Sequence, residues 1–430
     1  MSAECSAVNI LPGYRQTEVG VIPEDWDVKL LGSLIIALEA GVSVNSVEKE
    51  KDTYAHNASI MKTSCVIRGK FIPEEHKTIV PHEIHRAKLN PRKDSIVISR
   101  MNTKELVSEC GYVDQDYTNL FLPDRLWMTR HNSRMPHCVR WLAHFLSSNS
   151  FNHAIKDSAT GTSGSMKNIS KESVLAVCIP FPPRAEQEVI ADALSDADAL
   201  IESLEQLIAK KRQIKQGAMQ ELLTGKKRLP EFVTSNSYKQ TEVGVIPEDW
   251  NLRTLGELVT FLDGKRRPVK DADRAKMRGS IPYYGASGIV DYVNDYLFDE
   301  DLILLGEDGE NILSRSCRLA FRISGKTWVN NHAHVLRPNP DISIGFLTDY
   351  LESLNYEQFN SGTAQPKLNK QTCLNILIAL PLTKNEQEAI ATILADMEAE
   401  ITILEEKFAK ARQLKQGMMQ ELLTGRIRLI

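Results

Sequence analysis

The sequence lacks any uninterrupted apolar run of about 18 residues, the length that a membrane-spanning helix requires. Its first residues, MSAECSAVNILPGY, contain neither a basic stretch nor a long apolar stretch, so we expect no secretory signal. Cysteine is scarce, with 7 residues scattered over 430 positions and no C-x-x-C pair. Such a set argues against a disulfide framework and a zinc site and favours a reducing compartment. We therefore expect a cytoplasmic protein without a membrane partner.

The sequence also lacks the motifs of common catalytic sites. The amino-methyltransferase motif N/D-P-P-Y/F, the nucleophile motif G-x-S-x-G and the zinc motif H-E-x-x-H are absent. Gly325–Thr327 (GKT) resembles the end of a phosphate-binding loop, but Ala320 stands where the first glycine belongs, so we interpret it as a turn between strands. His332 and His334 alternate on a predicted strand, and we attribute them to packing and hydrogen bonding rather than to a metal site. We expect neither a catalytic site nor a metal ion.

What the sequence does contain is a duplication. Tyr14–Trp26 (YRQTEVGVIPEDW) returns as Tyr238–Trp250 (YKQTEVGVIPEDW), and Arg212–Gly225 (RQIKQGAMQELLTG) returns as Arg412–Gly425 (RQLKQGMMQELLTG). Between these blocks the two copies differ almost everywhere, and the first variable region is the longer one. A constant frame with two variable inserts indicates one scaffold that presents two different recognition surfaces.

The repeats predict four segments. Residues 8–183 form a first domain with its opening block, and residues 184–228 form a first conserved helix. Residues 229–383 contain a connector, the second opening block and a second domain, and residues 384–430 form a second conserved helix. We expect an α+β protein in which each variable domain is a mixed α/β unit built on a small twisted sheet.

Short apolar runs predict strands inside both variable regions. Buried strands are expected at Ser95–Arg100 and Asp301–Gly306, and closing strands at Val174–Phe181 and Leu374–Pro381, just before each long helix. Clusters of Gly, Asn and Asp separate these runs and indicate turns.

The conserved stretches carry apolar residues at heptad spacing, a pattern typical of a coiled coil. Each stretch is acidic in its first half and basic in its second half, so antiparallel pairing sets unlike charges side by side. Part of this polarity is the ordinary complement of the helix dipole. We predict an antiparallel coiled coil with pseudo-two-fold symmetry and one variable domain at each end. Its seam residues are Ile190, Leu194, Ile201, Leu204, Ile208, Ile390, Leu394, Ile401, Leu404 and Phe408.

The first variable region is modestly basic, with 20 Lys and Arg residues against 16 Asp and Glu residues over positions 27–180. Arg100, Asn102, Thr103 and Lys104 come directly after a predicted strand. Arginine and asparagine can read guanine and adenine through paired hydrogen bonds. The same residue types also cap ordinary turns, so DNA contact and a structural role both stay open.

In the second variable region the basic residues cluster in one loop. Lys265, Arg266, Arg267 and Lys270 lie within Gly264–Lys270 (GKRRPVK) and are candidate phosphate contacts. Such a run is also common in loops that only face solvent.

A second group of candidates lies further along this region. Tyr283, Tyr284 and Ser287 lie within Tyr283–Gly288 (YYGASG), where aromatic and small residues allow a ligand to approach the backbone closely. A tight turn before a strand explains this segment equally well.

The duplicated blocks resemble those of the DNA-specificity (S) subunits of type I restriction-modification systems. Gln365 and Lys367 are further candidate DNA contacts, and the first copy departs from the pattern because Gly161–Asn168 reads GTSGSMKN. Shorter segments also carry the resemblance, namely Gly362–Asn369 (GTAQPKLN), Val329–Val335 (VNNHAHV) and the Glu-Gln pairs at 186–187 and 386–387.

The resemblance implies a non-catalytic subunit that recognises double-stranded DNA. In this family two target-recognition domains read the halves of an asymmetric bipartite site, and the conserved helices set the spacer. The subunit recruits two methyltransferase subunits, which methylate adenine at N6 with S-adenosylmethionine, and two restriction subunits, which use ATP and Mg²⁺. These cofactors are expected on the partners and none on this chain.

Two rival functions differ from this one in their consequences. A stand-alone nuclease would cleave DNA as the purified chain, with a metal ion. A coiled-coil adaptor without a nucleic-acid role would leave the DNA preference of its complex unchanged when residues 251–380 are exchanged.

Overall fold

The protein divides into two compact units in the computed structural model. The first unit comprises residues 1–203 and 408–430, and the second comprises residues 204–407. Each unit therefore contains one variable domain, the start of one long helix and the end of the other. No helix in the described part of the chain is long and apolar enough to cross a membrane. The structure describes residues 10, 12–48, 58–157, 166–362 and 365–429.

The first unit is mixed α and β. Its elements in chain order are β1 (Tyr14–Thr17), β2 (Gly20–Pro23), β3 (Asp27–Leu30), α1 (Leu31–Leu34), β4 (Ile35–Ala40), β5 (Ser46–Val47), β6 (Ser59–Met61), β7 (Val66–Ile67), β8 (Gly69–Phe71), β9 (His76–Ile79), β10 (Ser95–Ser99), β11 (Met101–Asn102), β12 (Cys110–Val113), β13 (Leu120–Phe121), β14 (Leu126–His131), α2 (Val139–Leu146), α3 (Asn149–Asp157), β15 (Lys167–Asn168), α4 (Lys171–Leu175), β16 (Cys178–Phe181) and the start of α5 (Arg184–Leu222).

A six-stranded sheet organises this unit, in the order β4-β14-β10-β12-β8-β7. Its strands pair antiparallel except for β12 and β8, which are parallel. The central strand β10 confirms the predicted strand at Ser95–Arg100, and all of its residues are buried. Ile98, Trp127 and Trp141 join the sheet to α2 in one hydrophobic core. A second sheet has the order β13-β6-β9-β5.

The second unit follows the same plan with fewer strands. Its elements after the end of α5 are β17 (Tyr238–Thr241), β18 (Gly244–Pro247), β19 (Asn251–Thr254), α6 (Leu255–Leu258), β20 (Val259–Phe261), α7 (Asp271–Arg274), β21 (Arg278–Gly285), β22 (Gly288–Val293), β23 (Phe298–Asp299), β24 (Leu302–Gly306), α8 (Asn311–Ser314), β25 (Ala320–Ile323), β26 (Lys326–Val329), β27 (Ala333–Pro338), α9 (Ile344–Ser353), α10 (Lys370–Leu374), β28 (Leu377–Leu380) and the start of α11 (Lys384–Leu422).

Two four-stranded sheets form this second domain, in the orders β20-β27-β24-β25 and β22-β21-β26-β23. The strand expected at Asp301–Gly306 is confirmed as β24, which is fully buried. Gly325 lies between β25 and β26 with a φ of 67°, so the GKT segment is a turn between strands, as interpreted. His334 is buried in β27 and hydrogen-bonded on both ring nitrogens, as expected for a core histidine.

The closing strands begin later than the sequence pattern indicated. The first residues of Val174–Phe181 and Leu374–Pro381 end the short helices α4 and α10, and only the later residues form β16 and β28. The side chains of Ser170 and Asn369 each accept a hydrogen bond from a backbone N–H of the following helix. These N-caps start a helical turn that the apolar pattern could not reveal. β16 then pairs with β3, and β28 with β19.

The two predicted long helices are present as α5 and α11, each 39 residues long, but they end at Leu222 and Leu422, before the predicted boundaries at 228 and 430. Their first turns pack into the domain that precedes them, where Ile190, Leu194, Ile390 and Leu394 are at most 1% exposed. The last turn of each helix packs into the other domain: Leu422 lies in the core of the first unit and Leu222 in that of the second.

The duplicated blocks form a joint that occurs once in each unit. In the first joint the Arg428 guanidinium donates to Glu186 (Nε to Oε1, 2.6 Å) and to Asp25 (Nη1 to Oδ1, 2.9 Å), beside the buried Trp26 ring. The Tyr14 hydroxyl donates to the Gly425 carbonyl oxygen (3.0 Å). The joint therefore ties the opening block to the end of α11 and the start of α5.

The second joint repeats this arrangement with different residue numbers. Arg228 donates to Glu386 (Nε to Oε1, 2.6 Å) and to Asp249 (Nη1 to Oδ1, 2.8 Å), and its guanidinium carbon lies 5.7 Å from the Trp250 ring centroid. The two opening blocks thus have equivalent structural roles, because each supplies the aspartate of one ion-pair cluster, Asp25 or Asp249, and the tryptophan ring beside it.

Gly425 closes the first joint in a conformation that other residues adopt only with strain. Its φ is 73°, and an added Cβ would lie 2.5 Å from Pro23 Cδ and 3.2 Å from Trp26 Cη2. We expect Gly425→Ala to destabilise the first unit by about 1–3 kcal/mol, measured by urea or thermal unfolding.

Gly417, inside α11, is the matched control. An added Cβ there would meet nothing within 4 Å, so Gly417→Ala should stabilise the helix by about 0.5–1 kcal/mol. Equal effects of the two substitutions would contradict this account of the joint.

Candidate nucleic-acid interface

The candidate residues of the first domain lie where β10 ends. The Arg100 side chain is 28% exposed, and its guanidinium lies 6.0 Å from the centroid of the Trp127 ring. Asn102 accepts the Thr103 N–H through Oδ1 (2.9 Å) and donates to Ser99 Oγ (3.3 Å). Thr103 and Lys104 are exposed. Asn102 thus caps the turn, while the other three side chains reach the surface to different extents.

The basic loop of the second domain divides into inward and outward side chains. Lys265, Arg267 and Lys270 are exposed. Arg266 turns inward, and its Nη1 donates to Glu307 Oε2 (2.6 Å) and to the Ala333 carbonyl oxygen (2.7 Å). Three of the four predicted phosphate contacts are therefore presented to solvent, whereas the fourth is engaged inside the domain.

A largely buried charge network holds this loop in place. The ring of His334 lies between Asp263 Oδ2 (Nδ1, 2.8 Å) and the Leu368 carbonyl oxygen (Nε2, 2.9 Å). Glu307 Oε1 lies 3.4 Å from Lys367 Nζ, and its other oxygen accepts from Arg266. We call Asp263, Arg266, Glu307, His334 and Lys367 the charge network; it joins four separate segments of the second unit.

The network keeps its groups ionised at neutral pH. Burial disfavours the charged ring of His334, but hydrogen bonds, foremost that to Asp263, raise its pKa to about 10. Burial likewise opposes ionisation of Glu307 and Asp263, yet the hydrogen bonds from Arg266 and His334 hold the pKa of each carboxyl below its ordinary value. The network therefore contains three cations and two anions.

The tyrosine segment contributes one core residue and two surface positions. Tyr283 is 1% exposed, and its hydroxyl oxygen accepts the Val269 N–H (3.1 Å), so it supports the basic loop from inside. Tyr284 is half-buried, and Ser287 is exposed in the turn between β21 and β22. This turn lies beside the end of β24, because an added Cβ on Gly306 would stand 2.9 Å from the Ala286 carbonyl oxygen.

The candidates of the GTAQPKLN segment lie beside the charge network. Gln365 and Lys367 are exposed, and the backbones of Lys367 and Asp308 form an isolated antiparallel β-bridge. The comparable GTSGSMKN segment lies mostly outside the described residues, but its last two residues form β15 and pair with β11. In each domain this segment therefore meets the residues that follow the central strand.

The association of several contributing residues with one another carried no local signal in the sequence. Asp263, Glu307 and His334 are separated by more than 25 positions along the chain, and no spacing rule connects them. Their pairing depends on the order of strands in the β20-β27-β24-β25 sheet, which brings β27 between β20 and β24.

The arrangement is one of two dissimilar basic surfaces on a repeated frame. A family profile described as "Type I restriction modification DNA specificity domain" matches residues 23–213 and again residues 247–413. The chain belongs to this family. Members of the type I specificity family are DNA target-recognition components of restriction-modification systems, and the two matches coincide with the two copies seen in the sequence.

Known relatives of this specificity chain match it over nearly its whole length or over about a third of it. It is 26% identical over 435 residues to the MjaVIII type I restriction enzyme specificity subunit of Methanocaldococcus jannaschii, covering 95% of this chain and 94% of the relative. A Haemophilus influenzae relative of the same class is 34% identical over 139 residues, which is 32% of this chain and 35% of that protein. The solved S subunit of M. genitalium has the same fold, with a TM-score of 0.62, 18% identity and coverage of 92% and 96%.

Proposed function

We propose that this chain recognises an asymmetric, bipartite DNA site and that each variable domain reads one half. The observation that carries the proposal is the difference between the two surfaces on one repeated frame. Arg100 and Lys104 lie at the strand end of the first domain, whereas the second presents Lys265 and Arg267 in its basic loop and Lys367 in the charge network. Because the surfaces differ, the two halves of the site should differ, and the site should not be a palindrome.

The long helices are proposed to form an antiparallel coiled coil that sets the spacer between the half-sites and relates the domains by a pseudo-two-fold axis. Ion pairs support this pairing in each unit. In the first, Lys415 Nζ lies 2.6 Å from Asp198 Oδ2, and in the second, Lys215 Nζ lies 2.6 Å from Glu398 Oε2. Each pair joins the basic half of one helix to the acidic half of the other. The charge pattern of the sequence favours the same orientation.

The repeated frame would give the chain two equivalent docking surfaces, one for each of two methyltransferase subunits. Two restriction subunits would complete the complex. Exposed side chains within the repeated blocks support this role, since Tyr238 and Val245 are 46% and 50% exposed and packing inside the unit does not account for them. S-adenosylmethionine, ATP and Mg²⁺ would then bind to the partners, and this chain would bind none of them.

An exchange of residues 251–380 for the insert of a specificity subunit with a different target tests the proposal. In the complete complex, the exchange should change one half of the methylated motif and leave the other half and the spacer unchanged. Mapping of methylated adenine by single-molecule sequencing measures this.

The reciprocal exchange of residues 27–180 is the control, and it should change only the opposite half. An unchanged motif after both exchanges would favour an adaptor without a DNA role. Metal-dependent cleavage by the purified chain alone would favour an independent nuclease.

A further inference from the structure

The residue that follows the central strand occupies an equivalent place in the two domains. In the first domain the Arg100 carbonyl oxygen accepts the Ile169 N–H (3.0 Å). In the second the Glu307 carbonyl oxygen accepts the Leu368 N–H (2.8 Å). The same backbone bond identifies Arg100 and Glu307 as counterparts, although one is a cation and the other an anion.

The surroundings of these counterparts differ in how far their hydrogen-bonding capacity is used. Glu307 is held by Arg266 and Lys367 inside the charge network. Around Arg100, three buried polar atoms have no hydrogen-bond partner in the described part of the chain: Arg100 Nε, Trp127 Nε1 and Asn168 Oδ1. Buried polar groups in folded proteins nearly always have partners, so the unpaired atoms of Arg100 and Asn168 point to a ligand that supplies their partners.

These atoms belong to three neighbouring residues. The Arg100 guanidinium lies over the Trp127 ring, and Asn168 pairs with Met101, the residue after Arg100. Lys171 Nζ lies 5.9 Å from the same Trp127 ring centroid. The site is reached from solvent through the partly exposed Arg100 side chain and the exposed Lys171.

Charge and hydrogen-bonding type restrict the ligand. Arg100 and Lys171 are cations, and Asp124, a neighbouring carboxylate, lies 3.9 Å from the Arg100 guanidinium and accepts from Ser43. The Arg100 donors require an acceptor, whereas Asn168 Oδ1 requires a donor. A phosphate offers acceptors alone. A G·C base pair offers both in the major groove, with O6 and N7 of guanine as acceptors and N4 of cytosine as donor.

We propose that Arg100, supported by Trp127 and accompanied by Asn168, determines the specificity of the first domain by reading a G·C base pair. The proposal rests on the DNA-recognition function proposed above. The fork of the guanidinium matches the two acceptors of guanine, and Asn168, which pairs with the residue after Arg100, is the candidate acceptor for the cytosine amino group. In the second domain the counterpart Glu307 is engaged internally and organises the basic loop instead.

The test compares Arg100→Ala, Arg100→Lys and Asn168→Ala in the complete complex, expressed in a host without other adenine methylation. The wild-type motif should contain a fixed G·C pair in the half read by the first domain. Arg100→Ala should accept other pairs at that position, with discrimination lower by about 10- to 100-fold. Arg100→Lys keeps the charge but not the fork, so it should relax the same position. Asn168→Ala should relax it less.

Arg130→Ala is the matched control. Arg130 lies in β14 of the same sheet, and its 59%-exposed side chain lies 3.5 Å from Glu39. This variant should leave the motif intact. Thermal unfolding of all four variants establishes that they are folded, and Arg100→Lys decides the matter if Arg100→Ala fails to fold.

Three outcomes overturn the inference. The motif could be unchanged in every Arg100 variant, or the relaxed position could lie in the half read by the second domain. Alternatively, methylation could fall uniformly at all sites and the salt slope of binding could fall by about 1, as expected when a phosphate contact is lost. A wild-type complex without any motif would instead contradict the DNA-recognition function itself, so the two failures are distinguishable.

Discussion

Replacing Arg228 with alanine should destabilise the second unit by about 3–5 kcal/mol, because it leaves a buried carboxylate without its cation. The side chains of Arg228 and Glu386 are each 5% exposed, and Nε and Oε1 lie 2.6 Å apart. Arg228 also binds Asp249, which is 26% exposed. Burial raises the pKa of Glu386, and removal of the Arg228 cation, which lowers this pKa, would raise it further.

Urea unfolding, with hydrogen exchange in the Tyr238–Trp250 segment as a local measurement, checks this expectation. Arg322→Ala is the matched control in the same unit. Arg322 Nη2 lies 2.6 Å from Asp301 Oδ2, but both side chains are about half exposed, at 52% and 51%. Loss of such a surface pair should change stability by less than about 1 kcal/mol. Similar losses in the two variants would contradict a special role for the joint.

Replacing the counterpart Arg428 with alanine should destabilise the first unit in the same way, but by a smaller free energy. The side chains of Arg428 and Glu186 are 21% and 7% exposed, whereas those of the corresponding pair in the second joint are each 5% exposed. Water therefore screens the first joint more than the second. Hydrogen bonds to Glu186 and, to a smaller extent, to Asp25 raise the pKa of Arg428. The hydrogen bond from Arg428 in turn holds the pKa of Asp25 below its ordinary value. The two joints thus share one chemistry and differ in burial.

The sequence predicted features that depend on neighbours along the chain. Heptad spacing indicated the long helices, and the apolar runs at Ser95–Arg100 and Asp301–Gly306 indicated central strands, because helix and strand periodicity are local properties. The closing strands were predicted to begin too early. In each segment an N-capping side chain stabilises a short helix over the first residues of the apolar run. In the sequence Ser170 and Asn369 look like ordinary polar residues, so their role as helix caps could not be recognised.

Features that depend on pairing between distant residues could not be predicted. Glu186 and Arg428 are 242 positions apart, and nothing in the sequence indicated that they bind each other. In the basic loop, Lys265, Arg266 and Arg267 look alike as a run of cations. Their different roles follow from side-chain direction, which is set by where the loop joins β27 and β24.

Arg266→Ala and Arg267→Ala should therefore separate two effects that the sequence treated as one. Arg266 is 14% exposed and binds Glu307, itself 14% exposed, so its loss should destabilise the second unit by about 3 kcal/mol. Arg267 has an exposed side chain, and its backbone is already held by Val329 and Trp328. Its loss should change stability by less than about 0.5 kcal/mol.

DNA binding should show the opposite order once the difference in folding is removed. At a temperature where both variants are fully folded, Arg267→Ala should weaken binding of the complete complex at every site. It should also lower the slope of log affinity against log salt by about 0.9 if one phosphate contact is lost. Arg266→Ala should keep the wild-type salt slope, because its charge never reaches the DNA. A reduced slope in Arg266→Ala, with stability unchanged, would mean that the inward contacts to Glu307 and Ala333 give way when DNA binds.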